Sequence, residues 1–262
     1  MHSRKAILSA VAIALFSMVV VNLLPIDRVS ATAVSTEQSE GQAEEPNSEK
    51  SSPVVENSLY GRTIVVDAGH GGRDSGARGI GGVQEKDINL SVAQALVRYL
   101  HEAGATVITT RTTDTDLATE SDRLQKRRHL GDLKGRLGVV REQPIDAFVS
   151  IHCNAAPSPD WCGAQVLYLH KNDDGQRLAK TMQETFQETL LPTRRSIQSN
   201  RTLYLLKRVK GPTILAEIGF ITNPTEASWL QRPVYQDKVA FAMYLALTRY
   251  FNESPSEPDD GQ

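Results

Sequence analysis

The sequence predicts an α/β fold: a single layered domain with a mostly parallel central sheet flanked by helices. Three observations lead there. Short continuous apolar runs such as "TIVVDA" and "AFVSIH" are typical of strands buried on both faces. Other segments carry apolar residues four apart, the repeat of a helix that packs by one face. The two kinds alternate along the chain, as a parallel sheet with crossover helices requires.

The elements follow in order. "RTIVVDAG" (62–69) is the first strand. A glycine-rich loop then leads to "DINLSVAQALVRYLHEAG" (87–104), where Ile88, Val92, Leu96 and Leu100 form one stripe and Gly104 ends the helix. "TVITTR" (106–111) is the next strand. Residues 112–143 are charged and mostly helical, with a poor pattern that fits either an inhibitory helix or ordinary packing. "IDAFVSIHCN" (145–154) and "AQVLYL" (164–169) are strands. "DDGQRLAKTMQETFQETL" (173–190) spaces Leu178, Met182, Phe186 and Leu190 by four behind two capping aspartates, Asp173 and Asp174. "LYLLKR" (203–208) and "TILAEIGF" (213–220) read as strands. "NPTEASWLQ" (223–231) opens a short helix with Asn223 as cap and Pro224 in first position. "VYQDKVAFAMYLALTRYF" (234–251) closes the domain as a helix.

The ends lie outside that domain, which spans 61–252. Residues 1–33 read as a signal peptide or membrane anchor: Arg4 and Lys5 precede an apolar run from Ala6 to Leu24, and "VSA" and "ATA" are small-x-small cleavage patterns. Export across the cytoplasmic membrane follows, with the domain on its outer face. Residues 34–60 are rich in glutamate and poor in anything to bury, so they read as a disordered acidic linker, and 253–262 as a disordered tail. The formal net charge of −2 and 6% aromatics argue against a nucleic-acid partner. Cys153 and Cys162 could pair outside the cell, although a short loop would have to bring them together.

In α/β sheets, sites gather at the carboxyl ends of strands. His70 follows the first strand, His152 lies near the end of the third, and Glu217 sits inside an apolar strand. Glu85 stands where the glycine loop gives way to a helix. A carboxylate buried without a partner costs several kcal/mol, so Glu217 must meet a cation, a donor or a metal. Two imidazoles and one carboxylate suit catalytic zinc, with a fourth position open to water and a second carboxylate free to move protons. Strand alternation turns Cys153 away from His152, which makes it a poor ligand or nucleophile. A phosphate-binding loop does not fit the glycines: G-x-G-x-x-G from Gly69 would need glycine where Asp74 stands, and no G-K-[ST] follows. "HEAGA" (101–105) lacks the second histidine of H-E-x-x-H.

Taken in order, "DAGHGGRDSGARG...EKDINL", "SIHCNA" and "AEIGFITNP" closely resemble the zinc-dependent N-acetylmuramoyl-L-alanine amidase catalytic domain, amidase type 3. The resemblance covers essentially all of 61–252. One departure is Ala68, where the family often has proline. The resemblance implies one Zn2+ held by His70, Glu85 and His152, with Glu217 as the catalytic carboxylate. It implies hydrolysis of the amide between the lactyl group of N-acetylmuramic acid and L-alanine of the peptidoglycan stem. "NAAPSPDWCGAQVLYLH" (154–170) is similar to the amidases of spore formers, which act on the cortex in maturation and germination; vegetative wall turnover is the rival role. The substrate partner is peptidoglycan, with membrane contact only through an uncleaved N-terminus and an activating protein as a further partner; a sequence without a wall-binding repeat fits an enzyme placed by its N-terminal segment or by a partner. Two other classes compete: a zinc carboxypeptidase cutting within the stem, and a metal-free peptidoglycan-binding module.

Overall fold

The computed structural model describes residues 58–141 and 144–253. The leader, the acidic linker up to residue 57 and the tail from residue 254 lie outside the described residues. Six strands form one sheet: β1 (Thr63–Ala68), β2 (Thr106–Thr109), β3 (Ala147–Asn154), β4 (Gln165–Leu169), β5 (Gln198–Asn200) and β6 (Thr213–Phe220). Their order is β2-β1-β3-β6-β4-β5. All neighbouring pairs are parallel except β4 with β6. The expected α/β class with a mostly parallel sheet is therefore what the chain adopts.

Among the described residues six α-helices accompany the sheet: α1 (Glu85–Glu102), α2 (Glu120–Leu124), α3 (Arg128–Arg141), α4 (Asp173–Thr189), α5 (Pro224–Leu230) and α6 (Pro233–Asn252). The alternation of the strands divides their side chains between two unlike layers. On one face Ile64, Val66, Ala68, Val149, Ile151, Cys153, Ile214 and Ala216 meet α1, α4 and α6 in the main core. On the other face Val65 and Phe148 meet Leu137 and Val140 of α3, with Leu205 and Val209, in a smaller cluster. That second face is also where the ionisable residues lie.

Three expectations need correction. "LYLLKR" (203–208) is not a strand: it winds into turns closed by Lys207 N–H to the Leu203 carbonyl and Val209 N–H to the Leu205 carbonyl. Leu205 and Leu206 are both buried there, although neighbouring strand residues would point to opposite faces. The strand of that region is the short polar β5, which pairs at the sheet edge with β4. The cap of α4 is Asn172, whose side chain accepts from Gly175 N–H, while Asp173 and Asp174 occupy its first turn. The cysteines are both free, Cys153 buried and Cys162 exposed. Asn223 does cap α5 by accepting from Glu226 N–H, with Pro224 leading the helix.

Candidate metal centre

Parallel pairing sets the site. β1 and β3 end side by side, Ala68 opposite Ile151, and β3 and β6 place His152 directly opposite Glu217. Cross-strand partners of this kind point to the same face. His70 follows β1 after one glycine, and its backbone is left-handed (φ 62). A residue with a side chain costs of order 1–3 kcal/mol in that conformation, so the surroundings must hold it there. Gly69 leaves room for the His152 ring, since a Cβ at that position would lie 2.3 Å from its Cε1. Gly76 (φ +63) does the same for Glu85, whose Oε2 would be 2.5 Å from an added Cβ. The glycines thus let the loop fold back from His70 to the first residue of α1.

The three expected ligands come together. Glu85 Oε1 lies 3.2 Å from His70 Nε2 and 3.0 Å from His152 Nδ1. The two imidazoles meet edge to face, with centroids 4.9 Å apart. Among the described residues, His70, Glu85 and His152 form the group that could hold a metal ion, their ligand atoms all lying within 4.8 Å of one another. Neutral imidazoles and an ionised carboxylate are the donors zinc takes. Burial alone would raise the Glu85 pKa, but hydrogen bonds from both imidazoles outweigh it and hold the carboxyl well below the usual carboxylate range. Ala77 N–H (2.8 Å), Cys153 N–H (3.0 Å) and Asn89 Nδ2 (3.3 Å) also donate to it. His70 turns its other nitrogen, Nδ1, to Asp74 Oδ2 at 3.0 Å. Burial opposes the charge on His70, yet Glu85 and Asp74 raise its pKa to about 9.

Glu217 differs from Glu85. It borders the cleft, but its Oε2 is sealed from solvent and has no hydrogen-bond partner among the described residues. Burial pushes its pKa up to about 7; Glu85 adds to the rise and the histidines oppose it. The residue can therefore take up and release a proton near neutral pH, as a general base or acid must. His70, His152 and Glu217 open on a cleft of about 490 Å³. Its lining also includes the apolar Leu133, Leu203, Leu206 and Leu215, and the exposed His129, whose Nδ1 is 3.7 Å from Asp74 Oδ2.

Sequence reasoning overlooked the support beneath the site. Asp67 is buried and accepts from Ser150 Oγ, Thr110 Oγ1 (2.6 Å) and Arg136 Nη1 (2.6 Å). The Arg136 guanidinium also donates to the carbonyls of Ala68 (2.8 Å) and His70. Arg111 donates to the carbonyls of Ala68 (2.9 Å) and Gly69 (3.0 Å). A signal for Arg136 existed: it interrupts the apolar stripe of Leu133, Leu137 and Val140, with Asp132 four residues before it.

A parallel sheet that gathers two imidazoles and a low-pKa carboxylate, with a protonatable carboxylate one strand away, is the frame of a hydrolase. The chain belongs to the N-acetylmuramoyl-L-alanine amidase family, whose model matches residues 64–249; it is a cell-wall amidase that acts on peptidoglycan. It is 42% identical over 201 residues to the germination-specific N-acetylmuramoyl-L-alanine amidase of Bacillus subtilis, covering 77% of this chain and 84% of that one. Among solved structures it is similar to the CwlD amidase of Clostridioides difficile in complex with the GerS lipoprotein. That match has a TM-score of 0.70 and 34% identity, and covers 73% of this chain and 98% of that one. An N-acetylmuramoyl-L-alanine amidase from Clostridium difficile 630 matches with a TM-score of 0.66 and 30% identity, over 74% and 99% of the two chains.

Proposed function

We propose that this amidase works with a single zinc ion held by His70, Glu85 and His152, and that Glu217 is its catalytic carboxylate. The observation that carries the reading is the convergence of three donors of the right chemistry within 4.8 Å, beside a buried carboxylate oxygen that lacks a partner among the described residues. When bound, zinc supplies a Lewis acid for the amide carbonyl and an open position where water becomes acidic near neutral pH. Glu217 takes a proton from the water that attacks the lactyl carbonyl carbon. It then gives that proton to the nitrogen of L-alanine as the carbon–nitrogen bond breaks. The products are a lactyl carboxylate and a stem peptide with a free amino terminus. Asp74 keeps the Nδ1 proton of His70 on its own side, which leaves Nε2 as the donor atom.

The biological role proposed is removal of stem peptides from the spore cortex during maturation and germination. The support is the similarity to the germination-specific enzyme. Residues 61–252 form the body of the catalytic domain, which the turn at 58–60, expected as linker, joins through the buried Leu59; residues 1–33 carry it across the cytoplasmic membrane, with 34–57 as linker and 253–262 as tail. A lipoprotein-like partner fits the CwlD likeness, since that amidase was solved together with one. The test is mass spectrometry of soluble products after incubation with purified peptidoglycan and zinc. Intact stems beginning with L-alanine, lost on chelation, are expected. Single amino acids would make the enzyme a carboxypeptidase, and binding without product would leave a wall-binding module.

A further inference from the structure

We propose that Arg136 is a positioning residue that makes metal affinity depend on the docking of α3; the inference rests on the zinc reading above. Three consecutive carbonyls, those of Ala68, Gly69 and His70, carry the chain from β1 to the site. Arg111 and Arg136 hold all three between them. His70 is the critical one, because its left-handed backbone sets where the imidazole points. The hydrogen bond that steadies its carbonyl comes from Arg136 Nη2.

Arg136 cannot act on substrate directly, being only 2% exposed. All three of its nitrogens are engaged. Nε binds Asp132 Oδ2 at 2.9 Å, Nη1 binds Asp67 and Ala68, and Nη2 binds His70. Asp132 in turn accepts from Leu117 N–H at 2.8 Å, which ties the preceding loop to the same point. A planar fork spans these acceptors, whereas a lysine ammonium is a single point and cannot. The helical segment therefore does more than pack. It carries the group that fixes one ligand's main chain, so ordering α3 and binding metal favour each other. Such coupling is reciprocal: zinc must protect α3 as much as α3 favours zinc.

The experiment uses the full chain. Zinc affinity is measured by competition with a chromophoric chelator, and amide exchange across residues 128–141 is followed with and without zinc. In the wild type, zinc should slow exchange in α3. Arg136→Lys should weaken zinc at least tenfold and abolish that protection. Val140→Ala, which trims one apolar contact of the same helix while leaving α3 docked and Arg136 in place, should lower the melting temperature yet keep zinc affinity within twofold. Should Arg136→Lys fail to fold, Asp132→Asn decides, with a loss of roughly threefold or more expected. Wild-type zinc affinity in the Arg136 or Asp132 variant, or an equal loss in Val140→Ala, would overturn the inference. A wild-type chain that binds no zinc would instead overturn the metal reading, and this inference with it.

Discussion

At the residue scale the two glutamates show how one side-chain type is set to opposite roles by its surroundings. Glu85 is surrounded by donors and stays ionised; Glu217 sits among apolar strand residues, and its pKa rises to about 7. Glu217→Gln should lower turnover by a factor of about 10² to 10⁴, the usual share of general acid–base catalysis, while zinc content measured by atomic emission stays at the wild-type level. The same variant has a second signature. A carboxyl whose folded pKa is raised weakens the fold as pH climbs from its unfolded value, near 4.3, to about 7. Metal-free Glu217→Gln should therefore be more stable than the metal-free wild type at pH 8, by no more than about 4 kcal/mol, and equal to it near pH 4. A melting difference that does not change with pH would refute this. For the cysteines, burial pushes the Cys153 thiol well up, so alkylation of the native protein should label Cys162 and spare Cys153 until the chain unfolds. His70, Glu85, His152 and Glu217 were legible as residues because each breaks an apolar or glycine-rich context. Asp74 and Asp67 stand in the same contexts, but their roles come from partners that no local pattern names.

At the scale of elements, legibility followed periodicity. α1, α4 and α6 pack against the main core by stripes, and their places in the sequence were clear to within a few residues. The run 203–208 misled because Leu203 to Leu206 carries no period, and consecutive apolar residues suit a buried turn as well as a strand. β5 was invisible because an edge strand of three polar residues buries little. α3 was vague because its inner face is partly ionic: Asp67, Asp132 and Arg136 are all buried. That network makes an acid-labile joint between α3 and the sheet. Burial would raise the Asp67 pKa, but Arg136 and the two hydroxyls outweigh it and hold the pKa down. A depressed carboxyl stabilises the fold above its unfolded pKa, about 3.9, and that stabilisation fades as pH falls toward the folded value. Denaturant melts from pH 5 to pH 2 should show a steep loss in the wild type and a flatter slope in Asp67→Asn. At pH 7 the variant should be weaker by up to about 3–5 kcal/mol, since it removes one of the two carboxylates paired with the buried Arg136 and leaves Asp132 alone to balance it.

At the scale of the whole molecule, the sheet separates two functions. One face is closed by three long helices and carries the larger apolar core; the other accepts a smaller core so that polar groups can reach the cleft. Metal should recover part of the stability this costs. At zinc a hundredfold above its dissociation constant, binding adds about 2.7 kcal/mol, so chelation should lower the melting temperature by several degrees. An unchanged melt would argue against a specific site. The sheet also has two ends. The turn at 58–61 leads straight into β1, and Ser58 Oγ donates to the Thr248 carbonyl on α6 at 3.1 Å. His70 lies at the other end of that strand, about 20 Å away for six extended residues. The domain is thus entered at its heel: the described chain begins at one pole of the sheet and the cleft opens at the opposite one, so a support coupled at that turn should leave the mouth clear for a polymer to enter.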